Sequence, residues 1–147
     1  MTRVFLVDDH EIVRRGVADL IDSQTDLEVV GEASTVAQGL ARIGATQPDV
    51  AVLDVHLPDG SGIDLCRDIR SAHPTINCLM LTAFNDDDAT LAAVLAGAAG
   101  FVIKDIRGQN LLESIRQVAS GRQLVSPAAS RKLVETITVA RSGPASS

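Results

Sequence analysis

Residues 50–54 have the sequence Val-Ala-Val-Leu-Asp, an apolar run that ends abruptly in a carboxylate. A short run without polar interruption is typical of a strand that is buried on both faces, as in a parallel sheet. In open α/β sheets, ligands bind beyond the carboxyl ends of the strands. Asp54 is therefore predicted to lie at the edge where such a sheet binds its ligand.

Other short apolar runs close with a polar group in the same way. They are Val4-Phe5-Leu6-Val7 before Asp8 and Asp9, Leu79-Met80-Leu81 before Thr82, and Phe101-Val102-Ile103 before Lys104. Because the carboxyl ends of parallel strands share one edge of the sheet, we expect these groups to form a single site. That site would contain three carboxylates, one hydroxyl and one ammonium group.

Strand-like and helix-like patterns alternate along the chain, which predicts an α/β fold with a parallel sheet. The predicted strands are near 3–8, 27–31, 49–54, 77–82 and 100–103. The predicted helices are near 11–22, 35–45, 62–71, 87–97 and 109–120. The fourth helix is Ala-rich and has few bulky apolar side chains, so its packing is the least determined.

The composition limits the classes of function. The 147 residues suit one domain with an appended tail, and no stretch approaches the length of a membrane span. The chain also lacks signal-peptide features at its start, so we expect a soluble, cytoplasmic protein. A net charge of -6 and an aromatic content of 2% argue against nucleic-acid binding by this chain itself. Cys66 and Cys78 do not have metal-ligand spacing and are predicted to be buried, reduced thiols.

The character of the sequence changes after Gly121. Residues 1–121 are predicted to form the domain and residues 122–147 a linker. Ser126-Pro127 is a good helix start, so the linker is predicted to contain one helix near 127–141, although its β-branched residues lower helix propensity. The ending, residues 142–147, has linker composition.

The crowded carboxylates have a chemical explanation. Neighbouring carboxylates repel one another, and a hard divalent cation such as Mg²⁺ removes that cost. Asp9 and Asp54 fit as direct ligands and Asp8 as a ligand through water. A carboxylate beside Mg²⁺ can also act as a nucleophile and form an aspartyl-phosphate. Thr82 and Lys104 would then contact oxygens of the phosphoryl group.

The motifs resemble those of a known family. The motifs are Val-Asp-Asp-His at 7–10, Leu-Asp-Val-His-Leu-Pro-Asp-Gly at 53–60, Leu-Thr-Ala at 81–83 and Gly-Phe-Val-Ile-Lys-Asp at 100–105. In this order they resemble the response-regulator receiver domain of two-component signalling, in its NarL/FixJ (LuxR-type) branch, over residues 1–121. The resemblance implies the flavodoxin-like (CheY-like) fold, a five-stranded parallel sheet flanked by five helices.

The resemblance also implies a role for each residue of the site. Asp54 would accept a phosphoryl group from a phosphohistidine on a sensor histidine kinase, in a Mg²⁺-dependent reaction. The implied metal ligands are Asp8, Asp9, Asp54 and the backbone carbonyl of His56. Thr82 and Lys104 would sense the phosphoryl group, and Phe101 would be the switch aromatic.

Two positions, 101 and 105, depart from the family pattern, and the motifs also contain two histidines, His10 and His56. Asp105 follows Lys104 where many receivers have Pro, and Phe101 lacks the hydroxyl of the commoner Tyr. His10 is interpreted as solvated or as a cap of the first helix, because Mg²⁺ prefers oxygen ligands. For His56 the hypothesis is that its side chain controls access of water to the aspartyl-phosphate.

Alternatives of other classes remain open at this stage. The chain could be an Mg²⁺-dependent phosphohydrolase with an Asp nucleophile, although the adjacent Asp8-Asp9 pair does not supply the separate general acid such enzymes need. It could also be a receiver-like interaction module that is never phosphorylated. Regulators of the resembled branch carry a C-terminal helix-turn-helix that binds DNA and controls transcription, and no recognition-helix pattern occurs in this chain.

The helix near 109–120 is predicted to contribute to the surface that contacts a partner. The helix near 109–120 has an apolar stripe that should pack on the sheet, leaving Leu111 or Leu112 for a partner. With the segment 126–141, this helix is predicted to form the contact of a symmetric homodimer.

Overall fold

The computed structural model describes residues 1–82, 99–103 and 109–121. In this part of the chain strands and helices alternate, and their bounds are close to those predicted from the sequence. The elements are β1 (Thr2–Val7), α1 (Glu11–Asp22), β2 (Leu27–Ala33), α2 (Val36–Thr46), β3 (Val50–Asp54), β4 (His56–Leu57), β5 (Gly60–Ser61), α3 (Gly62–Ala72), β6 (Asn77–Thr82), β7 (Gly100–Ile103) and α4 (Gln109–Ala119). The predicted helices near 87–97 and 127–141 lie outside the described residues, as does the linker 122–147.

Five strands form one parallel sheet in the order β2-β1-β3-β6-β7. The prediction of a five-stranded parallel sheet is therefore confirmed. From β1 the chain adds β2 on one side and β3 on the other, so the order reverses between β1 and β3. Such a switch point opens a crevice at the carboxyl ends of the strands. Val7 of β1 pairs with Leu53 of β3, which brings Asp8 and Asp54 to this crevice.

The sheet separates two apolar layers. Ala51 and Leu53 of β3 belong to the layer that packs against α2 and α3, whereas Val50 and Val52 belong to the layer against α1 and α4. All of these residues are 0–2% exposed. A strand that is buried on both faces needs apolar side chains at every position, and this explains the unbroken run from Val50 to Leu53.

Helix α4 does not leave a leucine uncovered. Leu111 and Leu112 are both buried, at 6% and 8% exposure, so the expectation that one of them remains available for a partner is wrong. The apolar stripe of an amphipathic helix is wide enough to include adjacent positions, and both leucines join Ile115 in the core. Arg116 fixes the end of α4 by pairing its Nε with Asp26 Oδ2 at 2.9 Å, and this pairing lowers the pKa of Asp26.

The two cysteines lie inside the apolar layer between the sheet and α3. Cys66 and Cys78 are both fully buried and are not joined in a disulfide, which confirms the prediction of buried, reduced thiols. The hydrogen bond with Cys66 and burial raise the pKa of the Cys78 thiol well above its ordinary value. Within the described part of the chain, no helix has the length and apolar character needed to cross a membrane.

Candidate phosphoacceptor and metal site

Three carboxylates meet at the crevice between β1 and β3. Asp8 and Asp54 are 5% and 4% exposed, whereas about a third of the Asp9 side chain is accessible to solvent. One potential ligand atom from each of Asp8, Asp9, His10 and Asp54 can be chosen so that all four lie within 4.8 Å of one another. The structure therefore brings together three acids that the sequence places at two separate strand ends, and it adds an imidazole.

The main chain of Asp54 is held from two sides. On one side Asp54 pairs with Leu81 in β6, and the next residue, Val55, donates its N–H to the Leu81 carbonyl at 3.1 Å. On the other side Gly62, the first residue of α3, donates its N–H to the Val55 carbonyl at 2.8 Å. A Cβ atom at Gly62 would lie 1.8 Å from the Asp54 carbonyl oxygen. The position of Asp54 therefore depends on a glycine that the sequence did not single out.

The side chain of His10 is 62% exposed, in agreement with the prediction of a solvated residue. His10 occupies the N-cap position of α1, but its side chain makes no capping hydrogen bond. Its Nδ1 atom lies 3.1 Å from Asp8 Oδ1 and 3.2 Å from Asp9 Oδ1, so one edge of the largely exposed ring faces the carboxylates. The backbone N–H of His10 also donates to Asp8 Oδ1 at 2.9 Å, and this tight turn directs the ring back over the site.

Arg14 holds the main chain of the Asp8-Asp9 pair in place. Its Nη1 donates to the backbone carbonyl of Asp8 at 2.6 Å, and its Nε pairs with Glu32 Oε1 at 3.1 Å. The side chain is only 16% exposed. Arg14 thereby ties the loop that carries Asp8 to β2. The sequence reasoning missed this residue, because an arginine one turn into a helix gives no signal of a contact with a carbonyl before the helix.

The structure places the main chain of two other predicted residues. Thr82 ends β6 beside Leu81, the residue paired with Asp54, and Phe101 lies in β7 opposite Met80. Lys104 follows β7 directly but lies outside the described residues. The roles of Thr82, Phe101 and Lys104 therefore stay predictions.

His56 begins a short antiparallel hairpin of β4 and β5 that the sequence did not predict. Its side chain is exposed, and its backbone N–H lies 3.4 Å from Asp54 Oδ1. The hairpin therefore fixes the chain just beyond Asp54. The predicted use of the His56 carbonyl as a metal ligand stays a prediction.

Comparison with known proteins identifies the family. Residues 4–116 match the model of the response regulator receiver domain. The DNA-binding transcriptional activator DevR/DosR of Mycobacterium tuberculosis is 53% identical over 134 residues, which cover 91% of this chain and 62% of that protein. The chain belongs to the response-regulator receiver family. The resemblance inferred from the motifs is thereby confirmed, and the chain includes the receiver domain of a two-component response regulator.

Solved receiver structures agree with this assignment. A LuxR-family response regulator from Aurantimonas sp. SI85-9A1 superposes with a TM-score of 0.82 at 33% identity, over 94% of this chain and 99% of that one. The receiver domain of the putative response regulator NarL from Mycobacterium tuberculosis gives a TM-score of 0.78 at 33% identity, over 82% and 98%. The chain spans 60–62% of the length of the curated relatives it matches.

The donor set of this receiver fits a hard divalent ion. Asp8, Asp9 and Asp54 offer carboxylate oxygens close enough to share one ion. Mg²⁺ takes oxygen ligands in octahedral geometry and usually keeps several waters. Because Asp9 is partly exposed, the side of the cluster that it occupies is open to water.

Asp59 of this receiver links the loop after Asp54 to another helix. Its carboxylate accepts from the N–H groups of Val36 and Ala37, at 2.7 and 3.2 Å, in the first turn of α2. The hydrogen bond from Val36 is the largest of the effects that hold the Asp59 pKa below its ordinary value of 3.8. A carboxylate at a helix N-terminus is also favoured by the helix dipole. The loop after Asp54 is thereby anchored to α2.

Replacing Asp59 with Asn is expected to lower the melting temperature by a few degrees near neutral pH. A carboxyl group whose pKa is lowered by folding stabilises the fold above its unfolded pKa and loses that effect as the pH falls. The difference between wild type and Asp59→Asn should therefore shrink at about pH 3 and be full at about pH 7. Thermal unfolding at both pH values measures it, with Asp68→Asn as a control at an exposed acid of α3. A difference that grows on acidification would contradict the expectation.

Proposed function

We propose that Asp54 is the phosphoacceptor of this receiver and that Asp8, Asp9 and Asp54 hold the Mg²⁺ ion that the reaction needs. The observation that carries the proposal is the buried Asp54 carboxylate beside two further carboxylates, at the switch point of a parallel sheet. Three acids crowded at one edge repel one another unless a cation joins them. The proposed phosphoryl donor is a phosphohistidine on a sensor histidine kinase.

The chemistry follows from the position of Asp54. A carboxylate oxygen of Asp54 attacks phosphorus, the new O–P bond forms, and the bond from phosphorus to the histidine nitrogen breaks. When bound, Mg²⁺ would neutralise part of the negative charge on the phosphoryl oxygens. In phosphoryl transfer the protein mainly positions groups and neutralises charge, and Thr82 and Lys104 are proposed to contact two of the phosphoryl oxygens. Phe101 is proposed to change its packing in response.

Phosphorylation with a small-molecule donor tests the proposal directly. The chain is incubated with acetyl phosphate and Mg²⁺, and its intact mass is compared with a sample in which EDTA removes the metal. A gain of one phosphoryl group is expected only with the metal, and the adduct should be cleaved by hydroxylamine, as an acyl phosphate is. No gain in the presence of Mg²⁺ would contradict the proposal and favour the interaction module. Steady turnover of generic phosphomonoesters would favour a phosphohydrolase.

The exposed side chain of His56 is proposed to control access of water to the phosphorylated Asp54. Its backbone N–H lies 3.4 Å from Asp54 Oδ1 and its side chain is exposed, and these observations support a position close to the site. Only weak autodephosphorylation is expected of the wild type. Dephosphorylation rates of wild type and His56→Ala, followed by intact mass, test this role. Equal rates would remove it.

The output of the switch is proposed to lie outside this chain. DevR/DosR is a DNA-binding transcriptional activator, and this chain matches 62% of its length. We infer that phosphorylation controls DNA binding and transcription through a further C-terminal domain. The proposed intermediate step is a symmetric homodimer formed by residues 126–141 with the exposed side of α4, which does not include Leu111 and Leu112. Sedimentation with and without beryllofluoride should show a phosphorylation-dependent dimer, and a strictly monomeric protein at high concentration would contradict that step.

Arg14 is expected to support ion binding through the backbone of Asp8. Replacing it with Lys keeps the charge but removes the fork that reaches Asp8 and Glu32 together, so the Asp8 loop should loosen. Substitution of a residue that orients a metal ligand typically lowers metal affinity by about 10–100-fold. We expect Arg14→Lys to weaken Mg²⁺ binding about tenfold. Calorimetric titration measures this. Arg15→Lys is the matched control, because Arg15 is exposed and pairs only with Glu11 in the described structure.

A further inference from the structure

We propose that His10 is an additional ligand of the divalent-ion site, through Nδ1, and that it shifts the site's preference towards transition ions such as Co²⁺ and Zn²⁺. The inference rests on the proposed function, because it takes Asp8, Asp9 and Asp54 as the carboxylate ligands. It goes further by assigning a nitrogen ligand, which changes the class of ion the site selects.

The spacing of the atoms is that of ligands around one ion. His10 Nδ1 lies 3.1 Å from Asp8 Oδ1, 3.2 Å from Asp9 Oδ1 and 3.9 Å from Asp54 Oδ2. An octahedral ion with bonds of about 2.1 Å places neighbouring ligand atoms about 3 Å apart and opposite ligand atoms about 4.2 Å apart. The two shorter distances match neighbouring ligands, and the longest lies between the two cases. Nδ1 now forms a hydrogen bond with Asp8 Oδ1, and an ion bound among the carboxylates would take the place of the proton that Nδ1 donates.

The backbone around His10 holds the ring at that position. The His10 N–H donates to Asp8 Oδ1 at 2.9 Å, and its carbonyl accepts from the Arg14 N–H at 2.8 Å. Both main-chain groups are thus fixed before an ion arrives. The side chain makes no helix cap and is 62% exposed, so little packing competes for the ring. Its contacts with the carboxylates are the interactions that direct Nδ1 into the site.

The chemistry of the ligand decides which ions bind more tightly when the His10 nitrogen is added to the carboxylates. Mg²⁺ prefers oxygen ligands and loses its waters reluctantly, so an imidazole adds little to its binding. First-row transition ions bind imidazole well, and their affinity for a given N/O site rises from Mn²⁺ towards Cu²⁺. His10 should therefore raise the affinity for Co²⁺ and Zn²⁺ while leaving that for Mg²⁺ nearly unchanged. The site would take either class of ion, with His10 setting the ratio of the affinities.

Two titrations on the full chain test the inference. Mg²⁺ and Co²⁺ are titrated separately by calorimetry into wild type, His10→Asn and the control His73→Asn. His73 follows α3 and contacts Gln47, and it does not belong to the carboxylate cluster. His10→Asn is expected to weaken Co²⁺ binding at least about tenfold, with the Mg²⁺ affinity changed by less than about threefold. His73→Asn should match wild type for both ions.

A second measurement needs no variant. Co²⁺ added to wild type should strongly shift and broaden the ring-proton NMR signals of His10, as for a direct ligand, and should leave those of His73 in place. Unshifted His10 signals, or equal losses of Mg²⁺ and Co²⁺ affinity in His10→Asn, would overturn the inference and leave His10 as a simple charge contact. Failure of the wild type to bind either ion would instead contradict the proposed function.

Discussion

Replacing Gly62 with Ala is expected to lower the free energy of unfolding by about 3 kcal/mol or more and to abolish phosphorylation of the chain. A Cβ atom at this position would lie 1.8 Å from the Asp54 carbonyl oxygen and 2.8 Å from its carbonyl carbon. Both are backbone atoms, so no flexible side chain can move aside. Either the end of β3 or the start of α3 must shift, and the carboxylate of Asp54 shifts with its main chain.

Two measurements separate these consequences. Urea unfolding gives the loss of stability, and intact mass after acetyl phosphate treatment gives the loss of phosphorylation. Gly16→Ala is the control, because Gly16 lies within α1 and an added Cβ would meet nothing within 4 Å. Alanine inside a helix is favoured over glycine, so the control should be more stable by about 0.5–1 kcal/mol and should be phosphorylated normally. A Gly62→Ala protein as stable as wild type would show that the contact relaxes freely.

The sequence predicts the sheet well because its strands are buried on both faces. Such strands leave unbroken apolar runs, and the predicted bounds of β1, β3 and β6 differ from the structure by no more than a residue. The order of the strands in the sheet could not be predicted in this way, because periodicity does not show which strands are neighbours. The sequence predicts that Asp8 and Asp54 share one edge of the sheet, but the pairing of Val7 with Leu53, which makes these acids neighbours, does not follow from periodicity.

Side-chain directions and close backbone contacts could not be predicted in the same way. The ring of His10 turns towards the carboxylates because its own N–H is bonded to Asp8, a contact that no sequence pattern encodes. Arg14 reaches the Asp8 carbonyl because α1 packs beside β2, where Glu32 holds the guanidinium. Gly62 is required by the approach of α3 to β3, and a glycine at the start of a helix has several ordinary explanations. These features depend on packing between elements.

Replacing Asp54 with Asn is expected to abolish the phosphoryl gain completely, at any concentration of Mg²⁺. The amide has nearly the shape of the carboxylate, so the 4%-exposed position should be filled without a change of fold. An amide is not a useful nucleophile towards phosphorus, however, and the acyl phosphate cannot form on it. Intact mass after acetyl phosphate treatment measures the outcome, and circular dichroism checks that the variant is folded.

The variant Asp9→Asn is the control that shows why Asp54→Asn is not phosphorylated. It removes a carboxylate from the same cluster but leaves the nucleophile, so phosphorylation should be slowed because the ion binds more weakly, by about tenfold or more. Raising the Mg²⁺ concentration should then restore much of the rate in Asp9→Asn and none in Asp54→Asn. If both variants were rescued alike, Asp54 would be only a metal ligand and the phosphoryl group would reside on another residue. Rescue of Asp9→Asn alone would show that Asp9 holds the ion and that Asp54 accepts the phosphoryl group, although carboxylate oxygens of the two residues lie within 4.8 Å of each other.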